Sequence, residues 1–390
     1  MRDDAKVITA RVYFDWNATA PLRPEARAAM LAALDAPQNA SSVHAEGRTA
    51  RGIVEEARRK VAALAGAEPS NVIFTSGATE ANMLALTPAL GGVPRRERLF
   101  VSAIEHPSVR SGGRFEADAV EEVPVAATGV VDLDALKQTL TRFEHALVSV
   151  MLANNETGVV QPIRAVAELV HAAGGILHVD AVQGAGRMPV DMAALGADLL
   201  SLSSHKIGGP QGAGALIRST GLSPEPLIKG GGQERGFRAG TENVAAIAGF
   251  GAAAEAAANS LTTEPARVAA LRDRLESELR STTPDLVIFA AGIGRLPNTS
   301  LVAVPGTKAE TALIAFDLKG IALSSGSACS SGKVQPSHVL AAMGVEPALA
   351  RAALRISLGW ETIETDLDLC LNAWKQVVSS LGKERGGRAA

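Results

Sequence analysis

Cysteine is scarce in this chain, charge is nearly balanced, and no long, purely apolar run is present. Only Cys329 and Cys370 occur among 390 residues, too few for a disulfide framework and without the spacing of metal ligands. A stapled secreted scaffold is thereby excluded, no metal is expected, and each cysteine needs its own explanation. The 38 Lys and Arg residues face 41 Asp and Glu, a formal net charge of -3, so neither a nucleic acid nor a membrane surface is the expected partner. Aromatic residues make up only 3%, yet 47% apolar and 20% charged residues describe an ordinary globular composition. The most apolar stretch, 244–259, is mostly Ala and Gly and contains Glu255, which suits a packed helix better than a membrane span. Met1 to Lys6 carries acids where an export signal would carry a basic and then an apolar stretch, so a cytoplasmic protein is expected. Self-similarity at a fixed period is also missing, which excludes a repeat architecture.

What is there is an alternation of buried-looking strands, polar strand ends and helical stretches. Val72 to Thr75 runs into Ser76-Gly77-Ala78-Thr79, Leu99 to Val101 into Glu105-His106-Pro107, and Leu147 to Met151 into Asn154-Asn155-Glu156. Two more such strands end at Asp180 and at Lys206. Strands alternating with helices predict an α/β fold with a mainly parallel sheet, in which ligands sit beyond the carboxyl ends of the strands. The five polar clusters should therefore converge on one crevice. The length suffices for two domains, expected at 15–260 and at 261–390 with 1–14.

Lys206 follows the apolar residues Leu199, Leu200 and Leu202 and precedes Ile207-Gly208-Gly209-Pro210. Alone, such a lysine is most often a snorkelling stem, because burial disfavours its charge. Paired with the acid Asp180, which ends another strand, it suits a pyridoxal phosphate (PLP) site. There a lysine binds the cofactor aldehyde and a carboxylate keeps the pyridine nitrogen protonated. Gln183 is placed to reach the ring hydroxyl, and the helix opening at Ala78 and Thr79 offers free N–H groups to a phosphate. Arg355 shares a strand face with Ser357, and its fork suits bidentate capture of a carboxylate. Cys370 falls in a helical apolar stripe with Leu367, Leu371 and Trp374 and reads as an inert core residue. Cys329 lies instead in a run of small residues, 324–332, where an accessible thiol suits attack at one site and delivery at another.

The motifs H-V-D-A-V-Q (178–183), S-S-H-K-I-G-G-P (203–210) and S-S-G-S-A-C-S-S (324–331) resemble the group I, long-loop cysteine desulfurases of the class V aminotransferase family. The segment 230–243, rich in glycine, is similar to another signature of that family, and Asn39 to His44 to its N-P-S-S-x-H, with Ala40 where proline is usual. The resemblance spans about residues 12 to 360. It implies a fold-type I PLP-dependent transferase, with a large domain built on a mainly parallel sheet flanked by helices and a smaller α+β C-terminal domain. It implies L-cysteine as substrate, L-alanine and a Cys329 persulfide as products, and delivery of sulfur to an acceptor or scaffold protein for iron-sulfur clusters or other thio-cofactors. It also implies a stacking and proton-transferring role for His106, a ring-hydroxyl or substrate contact for Asn155, and phosphate contacts for Ser203 and His205. Arg355 would hold the substrate carboxylate. Thr241 would reach the phosphate of the other subunit of a homodimer. A selenocysteine lyase or a class V aminotransferase shares Lys206 and Asp180, but an aminotransferase has no need of Cys329.

Overall fold

The structure, a computed structural model, describes residues 11–35, 37, 39–326 and 336–386. Seven of the described strands form one sheet: β1 (Val72–Thr75), β2 (Leu99–Ser102), β3 (Val120–Val123), β4 (Leu147–Ser149), β5 (Ile176–Asp180), β6 (Leu199–Ser203) and β7 (Gly214–Arg218). Their spatial order is β1-β7-β6-β5-β4-β2-β3. Pairing is parallel from β6 through β3, and β7 runs antiparallel between β1 and β6, so β1 points the same way as β6. The five strands read from the sequence thus share one direction and present their carboxyl ends together, in the α/β fold class expected. Every residue of β1, β2, β4, β5 and β6 is buried, which is why those strands read as continuous apolar runs rather than alternating ones. The two unexpected strands have their own reasons. β3 is an edge strand with exposed glutamates, and β7 begins only one residue past the Gly212-Ala213 step, where the sequence pattern reads as a turn.

Helices α1 (Pro24–Leu34), α2 (Ala45–Leu64) and α4 (Val244–Ser260) pack together beside the sheet, while α3 (Ala78–Ala85) follows β1. α2 starts at Ala45 because His44 caps it by accepting from the Gly47 N–H, and it closes at Gly66 with φ +60. The Ala and Gly content of α4 is a packing requirement. A Cβ at Gly251 would stand 2.6 Å from the Ala57 Cα, and one at Gly249 2.6 Å from the Met30 Cγ. Among the described residues no single helix is long and apolar enough to cross a membrane.

Beyond α4, helix α5 (Glu264–Thr282) precedes an antiparallel sheet of β8 (Val287–Ile288), β9 (Thr299–Ala303), β10 (Ser324–Ser325) and β11 (Ala353–Ser357), in the order β8-β9-β11-β10. α6 (Glu364–Gly386) completes this part. Its core joins Val12 and Phe14 to Leu271, Leu275, Val302, Ile356, Cys370 and Trp374. Cys370 is fully buried there, and burial pushes its thiol up to about 12, so it carries no reactive thiolate.

The glycine-rich segment is anchored by an acid. Glu234 and Arg235 adopt left-handed φ of +45 and +57, unusual for residues with side chains. The strain is held by the buried Glu234 carboxylate, which accepts from Arg58 Nη1 and Nη2 at 2.7 and 2.8 Å and from the Phe74 N–H at 2.8 Å. Glu234→Ala leaves the buried Arg58 guanidinium with only the exposed Glu55 carboxylate as counter-charge, and the expected loss in denaturant unfolding is about 3 kcal/mol. A loss below about 1 kcal/mol, typical of an exposed pair, would show that the segment keeps its course without this anchor.

Candidate active site

At the carboxyl ends of the parallel strands lies a cavity of about 500 Å³. Lys206 closes a single helical turn, Ser204–Lys206, directly after β6, and its Nζ donates to the carbonyl oxygens of Asn17 at 2.6 Å and Ala18 at 2.8 Å. That turn forms where it does because Gly209 packs under it: a Cβ there would lie 2.1 Å from the Ser204 Oγ. Asp180 ends β5, next to β6, and its carboxylate accepts from Asn82 Nδ2 at 2.9 Å and from the Val182 N–H at 3.1 Å. Both residues line the cavity.

At one end, Ala78 and Thr79 form the first turn of α3, which has no side-chain cap, with Ser203 and His205 nearby on the lining. The His205 ring, with Nδ1 3.1 Å from Thr19 Oγ1, is lowered to about 4 by burial and by the charges of Lys206 and Arg187, so it is neutral at neutral pH. On the other side, His106 accepts at Nδ1 from the Ser108 N–H at 3.2 Å, which assigns the ring proton to Nε2. Burial lowers His106 below the ordinary imidazole value; Asp180 opposes the fall and Lys206 adds to it. Gln183 donates to the Asn17 carbonyl at 3.0 Å, and its own amide oxygen accepts from Arg187. Arg355 donates to the Asn155 carbonyl at 2.9 Å and to Asp15 Oδ1 at 2.7 Å, while its buried Nε has no hydrogen-bond partner among the described residues.

Ten of the site residues named from the sequence therefore line this one cavity. Thr241 does not: it is exposed, on the glycine-rich segment. Cys329 lies outside the described residues. The sequence reading missed Asn17, whose carbonyl takes both the Lys206 amine and the Gln183 amide, and whose side chain bonds Asn155, Asn298 and Thr299. It also missed Asn82, which lies one helical turn beyond Thr79 and fixes Asp180. The spacing of T-E-A-N on α3 was a usable signal for Asn82. For Arg187 and for Glu80 the sequence offered none.

A mainly parallel sheet with an amine, a carboxylate and an uncapped helix end meeting at its carboxyl edge defines a cofactor-dependent α/β enzyme. The chain belongs to the class-V aminotransferase family, whose model matches residues 12–370. It is 43% identical over 377 residues to a cysteine desulfurase of Cereibacter sphaeroides, covering 95% of this chain and 96% of that protein. An IscS-like cysteine desulfurase of Mycobacterium tuberculosis is 40% identical over 369 residues, 92% and 94% of the two chains. Among solved structures, a NifS-like protein from Rickettsia africae superposes with a TM-score of 0.86 at 35% identity, over 95% of this chain and 99% of that one. SspA, solved in complex with cysteine, gives 0.73 at 30% identity, over 89% and 98%.

Enzymes of this family depend on PLP, and the residues present fit that group. The first turn of α3 leaves its N–H groups uncapped for a phosphate, the Lys206 amine faces the same cavity, and the Asp180 carboxylate is held by two donors.

Behind His106 lies Glu105, fully buried, whose Oε1 accepts from Ser102 Oγ at 2.6 Å and from the Met151 N–H at 2.5 Å, while Oε2 has no partner among the described residues. Burial, with Asp180 nearby, raises its carboxyl to about 8 against the opposing pull of Ser102. The folded chain thus keeps a proton that the unfolded chain, with a carboxyl at 4.5, releases. Stability from this group is full below an unfolded value of about 4.5 and is lost as pH rises through about 8. Glu105→Gln keeps the acceptor without the titration. Denaturation midpoints of the wild type should therefore fall relative to this variant between about pH 5 and about pH 9. Parallel curves would assign the proton elsewhere.

Proposed function

We propose that this chain is a PLP-dependent cysteine desulfurase of the group I, long-loop kind, converting L-cysteine to L-alanine and leaving the sulfur on Cys329 as a persulfide. The observation that carries this reading is the meeting of Lys206, Asp180 and His106 on one cavity, in a chain whose relatives at 40–43% identity include cysteine desulfurases. The bound cofactor supplies an electron sink for the substrate carbons. Lys206 holds the cofactor and moves protons at its Nζ, and Asp180 keeps the ring nitrogen protonated. His106, with its proton on Nε2, serves as a second proton donor, while Asn155 and Gln183 orient the ring hydroxyl side. Arg355 takes the substrate carboxylate, with its Nε unpartnered among the described residues.

Sulfur transfer then needs a nucleophile. The Cys329 thiolate attacks the substrate sulfur, an S–S bond forms as the C–S bond breaks, and the C–S electron pair stays on the substrate carbon, which takes a proton to become the methyl group of alanine. The same reading makes the protein a cytoplasmic homodimer in which Thr241, exposed on the single chain, contacts the phosphate of the second subunit, with an acceptor or scaffold protein taking the persulfide sulfur for iron-sulfur cluster or thio-cofactor assembly. It also divides the chain near residue 260, with residues 1–14 joining the smaller C-terminal domain.

Incubation of the purified protein with L-cysteine and a reductant should give alanine and sulfide in equal amounts. Cys329→Ser should still bind PLP and change its absorption on addition of L-cysteine, yet form no alanine, because an unactivated hydroxyl is a far weaker nucleophile toward sulfur than a thiolate. Alanine production by that variant at close to the wild-type rate would overturn the role given to Cys329.

A further inference from the structure

Arg238, on the segment that Glu234 anchors, has no part in the chemistry described above. Its guanidinium lies against Glu80, with Nε donating to Oε1 at 3.0 Å and Nη2 to Oε2 at 3.4 Å. Both side chains are largely withdrawn from water, at 24% and 11% exposed. Glu80 is the third residue of α3 and lines the cavity beside Ala78 and Thr79. Its Oε2 also accepts from the Ser76 N–H at 2.8 Å, folding the chain before the helix back onto the first turn.

This carboxylate has two opposed effects. It suits the positive end of the helix and orders the turn, but it sets a negative charge beside the N–H groups that a phosphate would occupy. Protonation does not relieve the conflict: although burial works to raise the Glu80 carboxyl, Arg238 and Ser76 hold it below its ordinary value. A fixed cation has to offset it, and Arg238 is the side chain in contact.

We propose that Arg238 is a positioning residue for the cofactor phosphate: by pairing with Glu80 it lets α3 keep its ordering carboxylate without repelling an anion at Ala78 and Thr79. The inference rests on reading the cavity as a PLP site and assigns to the glycine-rich segment a contribution to that site within its own chain.

Titration of cofactor-free protein with PLP and, separately, with pyridoxal, followed by absorbance, tests it. Arg238→Gln should bind PLP about tenfold more weakly, because an uncompensated charge then faces the phosphate, and should bind pyridoxal unchanged. Arg238→Lys, which keeps the charge, should stay close to wild type. Adding Glu80→Gln to Arg238→Gln should restore PLP affinity, since the amide still accepts from Ser76 but carries no charge. Unchanged PLP affinity in Arg238→Gln, equal losses for PLP and pyridoxal, or no recovery in the double variant would each overturn the proposal while leaving the cofactor assignment intact. A wild-type chain that fails to bind PLP would remove that assignment and the proposal with it.

Discussion

An ammonium drawn away from water must be met by acceptors, and the carbonyls of Asn17 and Ala18 meet that of Lys206. Much of the site follows from this contact. To present those carbonyls the N-terminal segment must cross the carboxyl edge of the large sheet, and it is fixed there from the other side. The Asn17 N–H donates to Ser357 Oγ on β11, its Nδ2 to Thr299 Oγ1 on β9, and its Oδ1 accepts from Asn298. Asp15 bridges to Ser357 and accepts from Arg355. The antiparallel sheet is therefore tied to the lysine turn through one short segment centred on the fully buried Asn17, and Arg355 is delivered to the cavity as part of the same arrangement.

The electrostatics of the site follow from burial more than from any single pair. Arg187 is lowered to about 9 by burial and by Arg355, and it spends its donors on the Gln183 oxygens and the Trp16 carbonyl. A positive group held beside His205 and Gln183 favours the neutral imidazole and fixes the Gln183 oxygen toward Arg187, leaving its NH₂ directed to Asn17. Lys206 and Arg187 are met by carbonyl oxygens, Arg355 by the Asn155 carbonyl and the Asp15 carboxylate, and Asp180 by neutral N–H donors, so burial rather than one dominant ion pair sets the protonation of the groups around the cavity.

Much of this was legible in the sequence because parallel strands buried on both faces announce themselves as apolar runs, and because each ends in a polar cluster. The helix over 244–259 and the buried Cys370 were legible for the same reason: their surroundings are local and periodic. What could not be read depends on pairings between distant segments. β7 is a strand only because β1 and β6 flank it, α2 begins at Ala45 only because the His44 ring turns back to Gly47, and Asn17 earns its place through partners at positions 298, 299 and 357.

The glycine-rich segment shows the limit of composition most clearly. Its glycines suggest freedom, yet two of its non-glycine residues hold the left-handed backbone and its acid is buried in a three-donor pocket. Glycine at 236 and 240, with φ of +84 and +103, lets the chain turn so that Glu234 points inward to Arg58 while Arg238 reaches Glu80. The segment is therefore held at two points by ion pairs of opposite order, acid to helix α2 and base to helix α3, so the exposed Thr241 that follows sits on a fixed base rather than on a flexible linker.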